Sequence, residues 1–495
     1  MAIKDLREYI SRLEEYGELQ RIEAEVDWNF EAGAITRRAN ELGAPAPLMS
    51  RIKGYPEGYA LLGGPVAGSK VKGPKPWRRL AIALEMDPDC SYWEIVEEFK
   101  KRIEQPIKPV IVSDGPCKEN ILLGKEVNLF KFPVPMQHDG DGGRYLSFHC
   151  MIFKDPDSDW VNWAMYRAMI QTRNKLGGHI LPHSHGGMIY YRKYEARNKP
   201  MPFCICIGGE PLNTIIGALS IPVGVNEVDI AGGFRREPVE MIPAETNDLL
   251  VPAHAEIILE GEIRPYERWD EGPFGEYHGF MQGPRMPAPV YRINAITYRD
   301  NPILPFCCAG TPVDDCAAIM HVSTPAELLR IYRDKLRWPI KAIYTPPSGL
   351  FNLLIVSARI PYPGFAIQIA HALQSNRLGF ACHKIIVVDE DIDPTNLDEI
   401  WQALATRLHP VQGIQTTPYA VGHPILTYLN LRERQYGLGA QAIFDCTRSA
   451  LGVSDDEDWG GNSSFRQNYP AELQRIILEK WVKEYGYEKQ DYRIA

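Results

Sequence analysis

The sequence lacks several features that would each assign a protein to a particular class. Its 54 Lys and Arg and 63 Asp and Glu residues give a net charge of -9. No long basic run is present, which argues against a protein that binds nucleic acid or a membrane surface. No apolar run approaches the roughly 18 residues of a membrane-spanning helix, and the start, MAIKDLREYI, is too charged for a signal peptide. We therefore expect a cytoplasmic protein that binds neither nucleic acid nor a membrane.

The sequence also lacks the short motifs that identify common cofactors. Its 10 cysteines form no CxxC pair and no Cys/His ladder, which favours reduced thiols over disulfides or a zinc site. Neither a Walker nor a Rossmann glycine fingerprint is present, and the DGDGG stretch lacks the closing Glu of a calcium loop. Spacing alone therefore assigns no cofactor.

The chain of 495 residues is long enough for about three domains, since a typical domain has about 150 residues. Residues 1–115 mix helical and strand patterns. Residues 116–322 are mostly strand-like, which favours a barrel or split β-barrel. A helical pattern at 325–336 predicts a linker helix within 323–340, and 341–495 alternates apolar strands with helices, including a terminal helix. The predicted fold class is α+β.

Polar residues of the central region concentrate in segments rich in glycine and proline, which predict connecting loops. Loops on a rigid scaffold are common places for functional sites. The segments are 137–145, 161–169, 181–187 and 224–233.

The stretch DEGPFGEYHGF places two carboxylates, Glu271 and Glu276, around a Gly-Pro-Phe-Gly turn, with His278 beyond. Such a pair is either a solvated hairpin or an acid/base pair held in a cleft. If a strand continues past Glu276, His278 lies on the same side of it. The residues alone leave both alternatives open.

Several blocks, taken in order, carry a resemblance to a known family: GPCKEN, DGDGGRY, NWAMYR, LPHSH, VNEVDIAGG, ETNDLLVPAHAEIILEGEI and EGPFGEYHG. They resemble the UbiD-type decarboxylases, which use prenylated FMN, and the ferulic and aromatic acid decarboxylases in particular. The resemblance spans nearly the whole chain and is densest from 115 to 300.

The resemblance implies a carboxy-lyase of EC 4.1.1 type. Such an enzyme reversibly and non-oxidatively decarboxylates an aromatic, heteroaromatic or α,β-unsaturated acid through a covalent adduct with prenylated FMN, releasing CO2. It also implies a central flavin-binding split barrel, a C-terminal oligomerisation domain, a homodimer or homohexamer, and a flavin prenyltransferase as cofactor supplier. The apolar stripe of the terminal helix could cover its own domain or a second subunit.

By the same resemblance, Asn162, His185 and Glu227 match the ligands of a divalent metal, Mn2+ or Mg2+, that clamps the flavin phosphate. Amide, imidazole and carboxylate donors form a reasonable mixed set for Mn2+. The alternative for His185 is a loop histidine bonded to the backbone, and His183 lies nearby.

Two further cofactor assignments rest on the resemblance. Trp163 and the backbone at Ile216 and Leu219 match a K+ site, although Gly217 stands where the family has a hydroxyl residue. Arg377 matches a basic residue near the cofactor, with an ordinary surface cation as the alternative.

The resemblance assigns catalysis to Arg167, Glu271 and Glu276. Decarboxylation leaves a carbanion-like centre, so it requires an electron sink and a proton donor. Arg167 would orient the substrate carboxylate and pair with Glu271, while Glu276 would protonate the carbon.

The same resemblance implies a substrate pocket shaped by segments 307–321 and 420–428, with Met320, His423 and Ile425 in its lining. A histidine at 423 can hydrogen-bond a ring hydroxyl or heteroatom, which favours a hydroxybenzoate, furoate or pyrrole carboxylate over cinnamate. The alternative is a histidine bonded to a loop carbonyl.

Two other functional classes compete with the lyase. A split-barrel FMN-dependent oxidoreductase would consume NAD(P)H, whereas the lyase would consume none and release CO2. A cofactor-binding protein without turnover would need no proton donor, which argues against it.

Overall fold

The structure is a computed structural model that describes residues 2–311, 313–376, 378, 382–423, 425–448 and 463–487. The chain forms two compact units. The first comprises Met1–Ile331, Thr345–Asn352 and Val421–Gly439, and the second comprises Tyr332–Tyr344, Leu353–Ala420 and Ala440–Ala495. No helix in the described ranges is long and apolar enough to cross a membrane.

The N-terminal region mixes helices and strands, as predicted. Helix α1 starts at Asp5, whose side chain accepts a hydrogen bond from Glu8 N, and α2 ends at Gly43 in the left-handed conformation. Its elements are α1 (Leu6–Glu15), β1 (Leu19–Val26), α2 (Glu31–Leu42), β2 (Ala46–Ile52), β3 (Ala60–Gly63), α3 (Arg78–Ala83), α4 (Tyr92–Ile103) and β4 (Val110–Ile111).

The central region is rich in strands, again as predicted. Its elements are β5 (Asn120–Leu123), β6 (Tyr145–Leu146), β7 (His149–Lys154), β8 (Val161–Ala164), β9 (Ala168–Thr172), β10 (Lys175–Gly178), α5 (His185–Ile189), β11 (Met201–Ile207), α6 (Pro211–Gly217), α7 (Glu227–Arg235), β12 (Glu240–Pro243), β13 (Leu250–Pro252), β14 (Ile257–Glu271), β15 (Phe274–Gly275), β16 (Met281–Gln282), β17 (Met286–Tyr298) and β18 (Ile303–Phe306).

One nine-stranded sheet organises this region. Its order is β6-β9-β10-β17-β14-β11-β7-β8, with β5 also paired to β17. Ile205, Leu259 and Ile293 belong to the buried apolar cluster of this unit, which is the expected arrangement for strands with one face on a core. No pairing closes the sheet between β6 and β8 in the described residues, so the mixed α/β class is confirmed, whereas the split barrel stays a prediction.

The last third contains a mixed five-stranded sheet with order β19-β20-β21-β23-β22. Strands β20, β21 and β23 run parallel, as the alternating pattern predicted. The elements are α8 (Asp315–Leu328), β19 (Ile340–Tyr344), β20 (Leu353–Ala358), α9 (Phe365–Ser375), β21 (Lys384–Asp389), α10 (Leu397–Thr406), β22 (Ile414–Val421), α11 (Leu431–Tyr436), β23 (Leu438–Cys446), α12 (Phe465–Asn468) and α13 (Ala471–Lys483).

Four local predictions differ from the structure. Segment 161–169 was predicted as a loop, yet it contains β8 and the start of β9. The linker helix begins at Asp315, ten residues before the predicted 325, because Asp314 caps α8 by accepting from Ala317 N. Segments 181–187 and 224–233 were predicted as loops, yet α5 and α7 begin in them at His185 and Glu227. Ser184 caps α5 by accepting from Gly187 N, a signal that the neighbouring glycines obscured.

Candidate active site

Arg167 and the two carboxylates of the 270–280 stretch form one buried ion-pair network. Arg167 directly precedes β9, and Glu271 is the last residue of β14. The Arg167 Nε and Nη2 atoms donate to the two oxygens of Glu271, both at 2.9 Å, and Nη1 pairs with Glu276. Such a two-pronged contact fixes the orientation of both groups. The solvated-hairpin alternative is therefore wrong, because Glu271 and Glu276 are both buried.

A tight hairpin turn sets the position of Glu276. Strand β15 pairs with β16, and between them Glu276 N donates to Phe280 O at 3.0 Å while Gly279 N donates to Glu276 O at 2.9 Å. The chain therefore turns at Glu276 instead of continuing as a strand. The same-side argument for His278 consequently fails, because it assumed the two-residue period of a strand.

The electrostatics of the network separate the roles of its members. Burial raises the pKa of Glu276; Arg167 opposes this shift and Glu271 adds to it. Burial acts to lower the pKa of Arg167, but Glu276 and Glu271 outweigh it and raise that pKa. A carboxyl group with a raised pKa beside a permanent cation can carry a proton and release it at short range.

Residues at the start of β6 and just before it hold the two carboxylates in place through hydrogen bonds and a close backbone contact. The Tyr145 hydroxyl donates to Glu271 Oε1 at 2.8 Å and accepts from Gly272 N at 3.1 Å. Gly142 N donates to Pro273 O at 2.7 Å. A Cβ on Gly142 would lie 2.0 Å from Gly272 O, so only glycine allows this approach.

Asp141 completes this support. Its Oδ1 accepts from Gly275 N at 2.9 Å, and its Oδ2 lies 3.2 Å from His138 Nδ1. Burial opposes the charged form of His138, but Asp141 and the Cys308 thiol raise its pKa to about 10. The backbone immediately before Glu276 is therefore held by a buried carboxylate with its own cationic partner.

A second buried cluster joins β8, α5 and α7. Glu227 Oε1 accepts from Asn162 Nδ2 at 3.0 Å and lies 3.6 Å from His185 Nδ1, and Glu227 Oε2 accepts from Trp163 N at 3.0 Å. Asn162, His185 and Glu227 are all buried. The structure therefore brings the three predicted divalent-metal ligands together.

The chemistry of this cluster fits a cation. Asn162 Oδ1 and His185 Nε2 are buried without a hydrogen-bond partner among the described residues, and such atoms are costly unless something binds them. Glu227 makes no ion pair with Lys or Arg in the described part of the chain. An amide oxygen, an imidazole nitrogen and a carboxylate suit Mn2+ or Mg2+, and a cation would also balance the buried charge.

Comparison with known proteins identifies the family of this chain. Models of the N-terminal, Rift-related and C-terminal domains of 3-octaprenyl-4-hydroxybenzoate carboxy-lyase match residues 10–99, 108–312 and 317–446. Pyrrole-2-carboxylic acid decarboxylase of Pseudomonas aeruginosa is 33% identical over 98% of both chains. This chain belongs to the UbiD family.

Other UbiD relatives support the same assignment. Ferulic acid decarboxylase 1 of Saccharomyces cerevisiae is 31% identical over 98% of both chains. The closed form of Sedimentibacter hydroxybenzoicus vanillic acid decarboxylase has a TM-score of 0.87 at 29% identity, covering 98% of this chain and 100% of that chain. The UbiD-class enzyme HmfF of Pelotomaculum thermopropionicum, solved with prenylated FMN, has a TM-score of 0.75 at 26% identity, covering 95% and 99%.

The predicted family, the carboxy-lyase class and prenylated-FMN-dependent decarboxylation of an aromatic or related acid are thereby confirmed at the level of the UbiD family. The oxidoreductase alternative is not favoured. The domain boundaries predicted from the UbiD resemblance stay predictions.

The structure describes some of the residues predicted for the K+ site and for the basic position near the cofactor. Ile216 lies at the end of α6, beside β8, where Met165 N donates to Gly217 O at 3.2 Å. The structure thus brings Ile216 and Leu219 near the strand of Trp163, but the K+ site stays a prediction. Arg377 lies outside the described residues.

The substrate-pocket assignments to Met320, His423 and Ile425 in this UbiD chain stay predictions. Met320 is one helical turn beyond Cys316 on α8, so both residues lie on one face of that helix. Burial lowers the pKa of His278, while the backbone of Glu276 and of Ile425 opposes this shift. His423, partly exposed, lies two residues before Ile425.

Sequence reasoning missed three features of this UbiD site. Tyr145 and His179 both approach Glu271; Tyr145 ends the DGDGGRY block but was given no role, and His179 lies outside the quoted blocks. The ligand atoms of Cys307, Asp314 and Cys316 lie within 4.8 Å of one another. Asp314 already accepts from Gly310 N and Ala317 N with its two oxygens, so capping of α8 explains this carboxylate.

Proposed function

We propose that this UbiD-family carboxy-lyase decarboxylates a polar aromatic or heteroaromatic acid, such as a hydroxybenzoate, a furoate or a pyrrole carboxylate. The observation that carries the proposal is the buried network of Arg167, Glu271 and Glu276, in which the proton-donor candidate has a raised pKa. The Pseudomonas and Sedimentibacter relatives are named for pyrrole-2-carboxylic acid and vanillic acid, which supports a polar ring.

Arg167 positions the carboxylate of the acid. The Nε and Nη2 atoms of Arg167 bind Glu271, and its Nη1 atom binds Glu276. The substrate carboxylate would replace Glu276 as the partner of Nη1. When Glu276 takes up a proton, its attraction to Arg167 weakens and Nη1 becomes available to the incoming anion. Binding of the acid and protonation of Glu276 are therefore coupled.

Glu276 then delivers its proton to the carbon that has lost CO2. The desolvation that raises the pKa of Glu276 favours its neutral form, which is the form that can act as a general acid. The reverse transfer, from carbon to the Glu276 carboxylate, allows carboxylation by the same groups.

Asn162, His185 and Glu227 would hold a divalent cation, Mn2+ or Mg2+, whose charge would favour binding of the flavin phosphate. When bound, prenylated FMN supplies the electron sink that decarboxylation requires. We further propose K+ at Trp163, Ile216 and Leu219, a role for Arg377 near the cofactor, and a flavin prenyltransferase as supplier. The protein is proposed to act in the cytoplasm as a homodimer or homohexamer.

The test is a panel of acids offered to protein co-expressed with a flavin prenyltransferase, with FMN-loaded protein as the control. We expect CO2 release from hydroxylated or heteroaromatic acids by the prenylated form alone, without consumption of NAD(P)H. Consumption of NAD(P)H, or a preference for cinnamate over every polar acid, would contradict the proposal.

A further inference from the structure

His179 faces the catalytic network although no motif marks it. Strands β9 and β10 pair with Gly178 opposite Ala168, so the next antiparallel pair is His179 and Arg167. His179 N lies 3.4 Å from Arg167 O, as a donor to it. Directly opposed residues share one face of a sheet, so His179 is on the side where Arg167 meets Glu271 and Glu276.

The imidazole of His179 lies in front of this network. Its Nδ1 is 3.8 Å from Glu271 Oε2, too far for a hydrogen bond. Its side chain is 29% exposed, against 10% for Arg167 and 2% for Glu271. His179 is therefore the most accessible of the three groups and the one with unused hydrogen-bonding capacity at its ring.

The surroundings also set the form of the imidazole. Burial and the Arg167 charge lower the pKa of His179 to about 4, so the ring is neutral at neutral pH. A neutral imidazole has one N–H and one acceptor nitrogen. The negative charge of Glu271 lies 3.8 Å from Nδ1 and favours the tautomer with the proton on that atom, which leaves Nε2 as an acceptor.

We propose that His179 contacts the substrate acid and that its Nε2 accepts a hydrogen bond from an O–H or N–H group on the ring of that acid. This inference rests on the proposed function and adds a specificity determinant to it. It defines the substrate class as acids with a hydrogen-bond donor on the ring, such as phenols and N–H heterocycles.

The test measures binding without turnover, on protein loaded with FMN in place of prenylated FMN. Dissociation constants are measured by calorimetry for two closely matched pairs: pyrrole-2-carboxylate against furan-2-carboxylate, and hydroxybenzoates against the corresponding fluorobenzoates. One hydrogen bond corresponds to a preference of about tenfold for the donor-bearing acid in the wild type.

The variants distinguish a specific contact from a structural role. In His179→Leu, the ratio of the dissociation constants of the two matched acids should fall to about one. His179→Gln, whose amide oxygen can accept a hydrogen bond, should retain part of the preference for the donor-bearing acid. His183→Leu, at an exposed neighbouring histidine, should leave it unchanged. A wild type without the preference, or an unchanged ratio in His179→Leu, would overturn the proposal.

The two proposals fail separately. CO2 release by the prenylated enzyme tests the reaction, whereas the ratio of dissociation constants tests His179 alone. If the enzyme releases CO2 but binds both acids of each pair equally well, the proposed reaction is supported and the proposed role of His179 is refuted.

Discussion

At the scale of single residues, the site depends on one guanidinium shared between two carboxylates with different tasks. Glu271 accepts two hydrogen bonds from Arg167 and a third from Tyr145, so its position is fixed and it is suited to orienting Arg167. Glu276 has one contact with Arg167 and a pKa raised by burial. The difference between the two carboxylates lies in their partners, since both are buried.

This difference predicts a pH dependence. Glu276 donates a proton only in its neutral form, so kcat for decarboxylation should fall as the pH rises through its raised pKa. The measurement is a profile of kcat against pH for the prenylated enzyme, with stability checked at each pH. A kcat that rises across the same range would contradict protonated Glu276 as the donor.

A second prediction at this scale concerns the ring pocket. His423→Phe replaces a side chain that can hydrogen-bond a ring hydroxyl or heteroatom with an apolar one that cannot. In the variant, kcat/KM should fall for hydroxylated or heteroaromatic acids and rise for cinnamate-like acids. The ratio of the two kcat/KM values should change by roughly tenfold. Rates for a panel of acids with both proteins provide the measurement, and an unchanged ranking would make His423 a structural residue.

At the scale of elements, regular patterns could be predicted from the sequence, and their ends at glycine-rich segments could not. Helix 31–42 follows its apolar spacing and ends at Gly43. Helices α5 and α7 begin at His185 and Glu227 inside segments that look like loops, because glycine disfavours helix in isolation and tertiary packing outweighs that preference.

The site was predictable through the family resemblance and only weakly through residue patterns. Asn162, His185 and Glu227 are far apart in sequence, and the fold brings them together on β8, α5 and α7. His179 and Tyr145 could not be found in this way, because their roles depend on strand register and on a close backbone approach.

That close approach gives a prediction at the element scale. Gly142→Ala places a Cβ 2.0 Å from Gly272 O, so the backbone between Glu271 and Glu276 must shift. Because misplacement by about 1 Å can cost about 100-fold in rate, we expect kcat to fall about 10- to 100-fold with flavin binding retained. Comparison of kcat and flavin content checks this expectation.

Gly143→Ala is the matched control, because its Cβ would meet the flexible side chain of Met169 at 3.0 Å and should cost much less. Equal kcat values for the two variants would show that the contact with Gly272 does not set the position of the carboxylates.

At the scale of the whole molecule, we expect the divalent metal and the flavin to bind together. His185→Ala removes one ligand of the buried cluster at β8, α5 and α7, so the purified protein should lose most of both its divalent metal and its flavin. Metal analysis and flavin absorbance measure the two contents. His183→Ala, at an exposed site, is the control and should retain both; full flavin occupancy in His185→Ala would remove the assignment.

The central claim is that Glu276 supplies the proton in a decarboxylation carried out by the whole holoenzyme. The most direct measurement is CO2 release by the wild type and by Glu276→Gln, prepared with a flavin prenyltransferase and compared at equal prenylated-FMN occupancy. Glutamine keeps the shape of the side chain but has no transferable acid proton. We expect kcat to fall about 100-fold or more with cofactor binding intact, and near-normal CO2 release by the glutamine variant would show that Glu276 is not the proton donor.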